Sequence, residues 1–343
     1  MSEKFLSATA DNSEPETIDV GIDDGYAAVK VAWYDQIGAI RTLSIPSSAR
    51  QGSYGIGSFD SAGAVGGYET DGLRFTVDPG VFGDTTRFSD YNLSPLARVL
   101  AHHALISAGL AGKPLRIGSG LPLNRYFRDE KKNMGRISRK IESFASPVRR
   151  LDGGESVRIV RHEVFAQGLA AVIDWLSDGI SIETQVGPVG VVDIGGQTTD
   201  ISVILPPLRA DHRHLATCET GVLDVRALLK RRIQSLHDLD EIQDSLLDRA
   251  LKTGKIRLHG NDEDVQKERD DAIREIESRL ANQIRSVFEE TLPSLDAVLF
   301  VGGGTLVFRG LSQTFPNAII PENPEFANAR GILKALSLSG GKS

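Results

Sequence analysis

Two segments of the chain repeat one pattern of apolar and polar positions. Val20 to Val31 reads VGIDDGYAAVKV and Val191 to Ser202 reads VVDIGGQTTDIS, each an apolar strand, a glycine turn and a second strand. Laid over one another, they put Asp23 on Asp193, Gly25 on Gly195 and Lys30 on Asp200. Around each hairpin, apolar alternation predicts further strands near 40–45, 115–118 and 157–160 in the first half, and near 215–220 and 296–301 in the second. Helical spacing predicts helices over 96–110, introduced by Ser94-Pro95, within the basic stretch 131–150, over about 166–176, and over 222–233. A long helix over 265–292 carries the stripe Ile273, Ile276, Leu280, Ile284 and Val287, which faces a core because no strict heptad is sustained. Residues 46–90, rich in Gly, Ser and Asp, read as short β elements and loops inserted in the first half. Residues 1–17 are polar and acidic and read as a disordered tail. Strands alternating with helices make the chain α/β, and the repeated hairpin opens each half in the same way.

Length adds that 343 residues suffice for two domains, each with its own core. A hydrophobic fraction of 40% and a mean hydropathy of −0.15 describe a soluble globular protein without a membrane span or signal peptide, expected in the cytoplasm. The net charge of −7 argues against a generally basic nucleic-acid surface, and the local cluster Arg149, Arg150, Arg158 and Arg161 reads as a solvated face. The one cysteine, Cys218, forms no intramolecular disulfide and fits a reducing compartment. The histidines are scattered, with His102 and His103 inside an apolar helix pattern, so zinc is not expected. Neither a P-loop nor a dinucleotide glycine fingerprint is present.

The chemistry of the hairpins is that of phosphate binding. A carboxylate ending the first strand, Asp23 or Asp193, can hold Mg2+ directly or through water, since this ion takes oxygen ligands and keeps much of its hydration. Turn glycines let backbone N–H groups approach phosphate oxygens, Thr198 and Thr199 add hydroxyls, and Lys30 offers a point charge. A third glycine element, Gly302-Gly303-Gly304-Thr305, follows a buried strand and precedes an expected apolar helix, which suits the adenosine or α-phosphate end of a nucleotide. Glu163, expected between a strand and a helix, could orient water attacking a γ-phosphate.

At these residues the sequence resembles the actin, sugar kinase and heat-shock seventy superfamily of ATPases, and within it the bacterial actin-like ParM (StbA) proteins that segregate plasmids. The motifs occur in order: IDDG with Lys30, HHALISAGL at 102–110, LPL at 121–123, Glu163, DIGGQTTD at 193–200, GVLDV at 221–225, GGGT at 302–305 and FANARGIL at 326–333. The resemblance implies an actin-like fold of two duplicated ribonuclease-H-like α/β domains flanking a nucleotide cleft. Domain I would span 18–184 and 320–343, and domain II 185–319. It implies that Asp23 and Asp193 hold Mg2+ and its water and that Glu163 positions the hydrolytic water. ATP or GTP would be held by Asp24, Gly25, Tyr26, Lys30, the loop Gly195, Gly196, Gln197, Thr198 and Thr199, then Gly221, and Gly302, Gly303, Gly304 and Thr305. Tyr26 and Gln197 depart from the family's small hydroxyl residue and threonine. The implied activity is NTP hydrolysis coupled to polar filament assembly, driving plasmid segregation through an adaptor bound to a centromere-like DNA site, with no direct DNA or membrane contact. The alternatives are a small-molecule kinase or polyphosphate hydrolase of the same superfamily, and a membrane-linked actin-like scaffold. The 343-residue length leaves little for acceptor-binding insertions, and the closing LKALSLSGGKS is a poor amphipathic anchor.

Overall fold

The computed structural model describes residues 17–54, 66–78, 83–177 and 187–340, so the tail reading of residues 1–17 lies, Thr17 apart, outside the described residues. Each hairpin seeds its own five-stranded sheet. In the first, β1 (Ile18–Asp24), β2 (Ala28–Tyr34) and β3 (Ile40–Pro46) form an antiparallel meander, and β4 (Pro114–Leu121) and β5 (Arg158–Ala166) add in parallel beside β1. The second repeats this plan with β6 (Val189–Ile194), β7 (Thr199–Leu205), β8 (Arg209–Cys218), β9 (Ala297–Val301) and β10 (Ala318–Ile319). The orders β5-β4-β1-β2-β3 and β10-β9-β6-β7-β8 correspond strand for strand. The register corresponds too, with Asp23 opposite Lys30 and Asp193 opposite Asp200.

The longer helices cover the faces of these sheets. In the first unit they are α1 (Pro95–Ser107), α2 (Met134–Ala145) and α3 (Leu169–Ser177). In the second they are α4 (Val222–His237), α5 (Asp244–Thr253) and α6 (Gln266–Phe288), and α7 (Ala327–Gly340) follows. Among the described residues no helix is long and apolar enough to cross a membrane. Helix α1 begins as expected, with Pro95 in its first turn and the Ser94 hydroxyl accepting from the Ala97 N–H at 3.2 Å. Alternation along β1 divides its faces. Val20 and Ile22 pack in a core with Ala97, Leu100 and Phe144, while Gly21 meets α7 so closely that a Cβ would overlap the Ala329 carbonyl. On α6, Ile276, Leu280 and Ile284 are buried with Phe288, and Ile273 and Val287 pack partly against the same core.

The structure adds detail to the sequence reading at three places, and at the first and last of them it differs. The charged stretch after α4 contains α5 and a hairpin of Lys255–Leu258 with Asn261–Asp264, since Leu247 and Ala250 give α5 only a narrow apolar stripe among charges. The Gly-rich insertion forms a small sheet from Arg50–Gln51, Gly67–Thr70 and Leu73–Thr76, completed by Arg149–Arg150 from beyond α2. Finally, β5 runs through Glu163 to Ala166, and α3 starts only at Leu169, after Gly168 at φ +78. That last shift changes which side chain reaches the site.

Candidate functional site

The two hairpin turns meet. Gly196 approaches Ala27 with no space for a Cβ, so the turns of β1–β2 and β6–β7 face one another at the junction of the two sheets. Helix α4 begins directly beneath the second turn, where the Val222 and Leu223 N–H groups donate to the Gly195 and Gly196 carbonyls at 3.2 and 2.8 Å. Gly221 lies against those carbonyls and donates to the Asp224 carboxylate at 2.9 Å. Side-chain contacts that link the units across the junction include Arg87 to Asp224 at 3.0 Å and Asn124 to Thr217 Oγ1 at 2.6 Å.

Carboxylates converge in the narrow crevice between them, which is lined by Gln167, Gly168, Asp193, Asp200 and Thr217. Asp23 accepts from Lys30 Nζ at 3.2 Å and from Gln167 Nε2 at 2.7 Å. Asp193 accepts from Asn328 Nδ2 at 2.6 Å, and Asn328 Oδ1 accepts from the Gly168 N–H at 3.1 Å, so Asn328 ties both units together. Burial, with the charges of Asp23 and Asp200 beside it, pushes Asp193 up to about 7. Asp200, half-buried and hydrogen-bonded by Thr217 and Thr198, is pushed up to about 6 by its desolvation. Deprotonating Asp193 and Asp200 beside Asp23 gives the cluster more negative charge than Lys30, with Arg125 acting on Asp200, offsets. A divalent cation with oxygen preference would relieve this excess, and two carboxylates plus water and phosphate oxygens match the usual Mg2+ donor set. Among the described residues no group of three or more His, Cys, Asp or Glu forms a ready metal cage.

Other expected site residues have different settings. Asp24 points away from its neighbour Asp23, as strand alternation requires, and forms a buried ion pair with Lys140 at 2.7 and 2.9 Å, Lys140 also donating to the Gly120 carbonyl at 2.6 Å. Desolvation raises the Asp24 pKa despite that partner. Removing one partner strands a buried charge, so Lys140→Met is expected to cost about 3 kcal/mol or more of stability. Urea unfolding checks this, with Lys140→Met plus Asp24→Asn recovering part of the loss if the pair is responsible.

Tyr26 stacks at 5.3 Å on Tyr91 and adjoins the first core. Gln197 Nε2 reaches Glu219 at 3.4 Å, and the Thr199 hydroxyl is committed to the Thr220 carbonyl at 2.8 Å. Gly25 lies beside Lys30. Gly302, at φ +83, packs against Asp193 and the Ile194 backbone, a position only glycine fits. Gly303–Leu306 is a single 3-10 turn rather than the start of an apolar helix, with Gly304 against Ile194 and the Thr305 hydroxyl donating to the Val301 carbonyl at 2.8 Å.

Glu163 is not at the crevice. It lies within β5 opposite Gly118, 3.0 Å from Arg161 Nε, and accepts from Ser339 at 3.4 Å near the end of α7. The expectation for this residue rested on a helix beginning at residue 166. Because the strand continues, Gln167 takes the place beside Asp23, and sequence reading missed it along with Asn328 and Lys140. For Gln167 the signal was Gly168, whose position separates strand from helix; Asp200 was visible as the aligned partner of Lys30.

Paired sheets of identical order, joined at facing acid-led hairpins, define an actin-like fold. Residues 18–178 match the family model for the N-terminal part of plasmid segregation protein ParM, and residues 191–312 match the C-terminal model of the archaeal actin homologue MreB-like. The chain has an actin-like fold, with a ParM-type match in its first part and an archaeal MreB-like match in its second. Among solved structures, it is similar to Ta0583, an archaeal actin homologue in complex with ADP, at 22% identity and a TM-score of 0.76, covering 94% of this chain and 100% of that one. A 15-stranded ParM filament from Clostridium botulinum matches at 19% identity and a TM-score of 0.73, covering 94% and 99%. Bacillus thuringiensis ParM with AMPPNP matches at 15% identity and a TM-score of 0.67, also covering 94% and 99%. No curated protein matches in sequence.

Proposed function

We propose that the chain binds a nucleoside triphosphate with Mg2+ between its two hairpins, hydrolyses it, and uses that cycle to control assembly into polar filaments. The observation that carries this reading is the facing pair of hairpins, which bring Asp23, with Lys30 on it, close to Asp193 and Asp193 close to Asp200. Asp23 and Asp193 would hold Mg2+, which would supply charge neutralisation at the phosphates. Lys30 and the turn at Gly195–Thr199 would bind the phosphates, and Gly303, whose Cβ position has only Glu325 nearby, leaves backbone open to the nucleotide. Gln167 would orient the attacking water. An amide is a weak base, but phosphoryl transfer through a loose transition state asks mainly for position.

Assembly would be head-to-tail, an open heterologous contact that propagates without closing. The ParM match over the first half supports a role in plasmid segregation through a DNA-bound adaptor in the cytoplasm, and the net charge of −7 favours indirect DNA contact. Light scattering and pelleting with Mg2+ and ATP, GTP, ADP or no nucleotide, read beside phosphate release, test the proposal. Scattering is expected to rise on triphosphate addition and to decay as phosphate appears. Turnover without assembly, stimulated by a small acceptor, would move the protein to the kinase class.

A further inference from the structure

A second cavity, of about 490 Å3, lies in the first unit between the end of α2, residues 146–149 and the first half of β5, and shares no lining residue with the crevice. Its size falls in the range of small-molecule sites, roughly 300–1,000 Å3. Ile141, Phe144, Val148 and Ile159 give it apolar walls. Arg149, Arg158 and Arg161 also line it, and none of its lining residues is acidic. Arg149 reaches Glu69 and Arg161 reaches Glu163, each at 3.0 Å, whereas Arg158 has no ion pair among the described residues.

Two imidazoles complete the lining. His102 is 3% exposed and neither ring nitrogen has a hydrogen-bond partner, while His162 holds Ser119 Oγ at 2.7 Å through Nε2 and leaves Nδ1 unpartnered. Burial, with Arg98 near His102 and Lys140 near His162, pushes both down to about 3, so both rings are neutral at physiological pH. An added peptide strand fits less well, because the register of β5 slips between Ile159 and Arg161 and breaks the regular edge.

We infer that this cavity binds a small organic anion, its carboxylate, sulfonate or phosphate head on Arg158 and its apolar body against Phe144 and Val148. The probe is 8-anilinonaphthalene-1-sulfonate, titrated by fluorescence into the full chain, with neutral N-phenyl-1-naphthylamine as the uncharged comparison. Saturable binding is expected, weakened about tenfold or more by Arg158→Glu and blocked by Ala145→Trp, which fills the cavity from an exposed helix end. Unchanged affinity in both variants, or equal affinity for the neutral probe, overturns the inference. Binding that Mg-ATP displaces while both variants keep it would assign the probe to the crevice and overturn it as well.

Discussion

Gln167→Ala is expected to slow phosphate release by about a hundredfold while nucleotide affinity stays within a few-fold. The side chain is placed by the Asp23 carboxylate, 2.7 Å away, and by the backbone of Gly168, which Asn328 holds. Losing it removes an orienting group without touching the phosphate turns. Single-turnover phosphate release and titration with a fluorescent nucleotide separate the two effects. Glu163→Ala serves as the contrast, since Glu163 is occupied by Arg161 and Ser339, and its turnover is expected to match that of the unmodified chain. Slowed hydrolysis in the Glu163 variant with normal hydrolysis in the Gln167 variant would reverse the assignment.

Asp193→Asn is expected to act in opposite directions on activity and on the stability of the nucleotide-free protein. Hydrolysis should fall to background, because one of two proposed cation ligands is lost. Stability should rise at pH 8. The folded protein holds the Asp193 proton up to about 7, against a reference value of 3.8, so this group favours folding at low pH and that contribution is lost as pH climbs through about 7. The full shift corresponds to about 4 kcal/mol, and access of water through the crevice reduces it to about 2 kcal/mol. Urea unfolding without Mg2+ should therefore give a larger gain for the variant at pH 8 than at pH 5. A variant less stable than the parent at pH 8 would mean that the Asp193 charge is already compensated.

Much of this arrangement was legible because strand periodicity is short and strict. The seven-residue spacing of Asp23 to Lys30 and of Asp193 to Asp200 fixes which residues oppose one another across a hairpin, and the pairs are found in that register. The same alternation implies that Asp23 and Asp24 face opposite ways, yet only the fold reveals Lys140, 116 positions away, as the partner of Asp24. The run Val164-Phe165-Ala166 suits a strand end or a helix start equally, so apolar pattern alone misplaced the boundary and with it the choice between Glu163 and Gln167. Asn328 lies within the FANARGIL segment already singled out, but its partners were not legible there, since its role depends on Gly168 and Asp193 arriving from distant segments.

The packing of α7 on Gly21 has a consequence for how the chain folds. The first strand of the first sheet is covered by the last helix, which also presses Gly331 against the Ala170 carbonyl of α3. During synthesis the amino-terminal unit emerges long before that cover exists, leaving one face of β1 bare until residues beyond 327 leave the ribosome. Contacts of such long separation form late, so the second unit, whose strands and helices are contiguous from 189 to 319, can mature first.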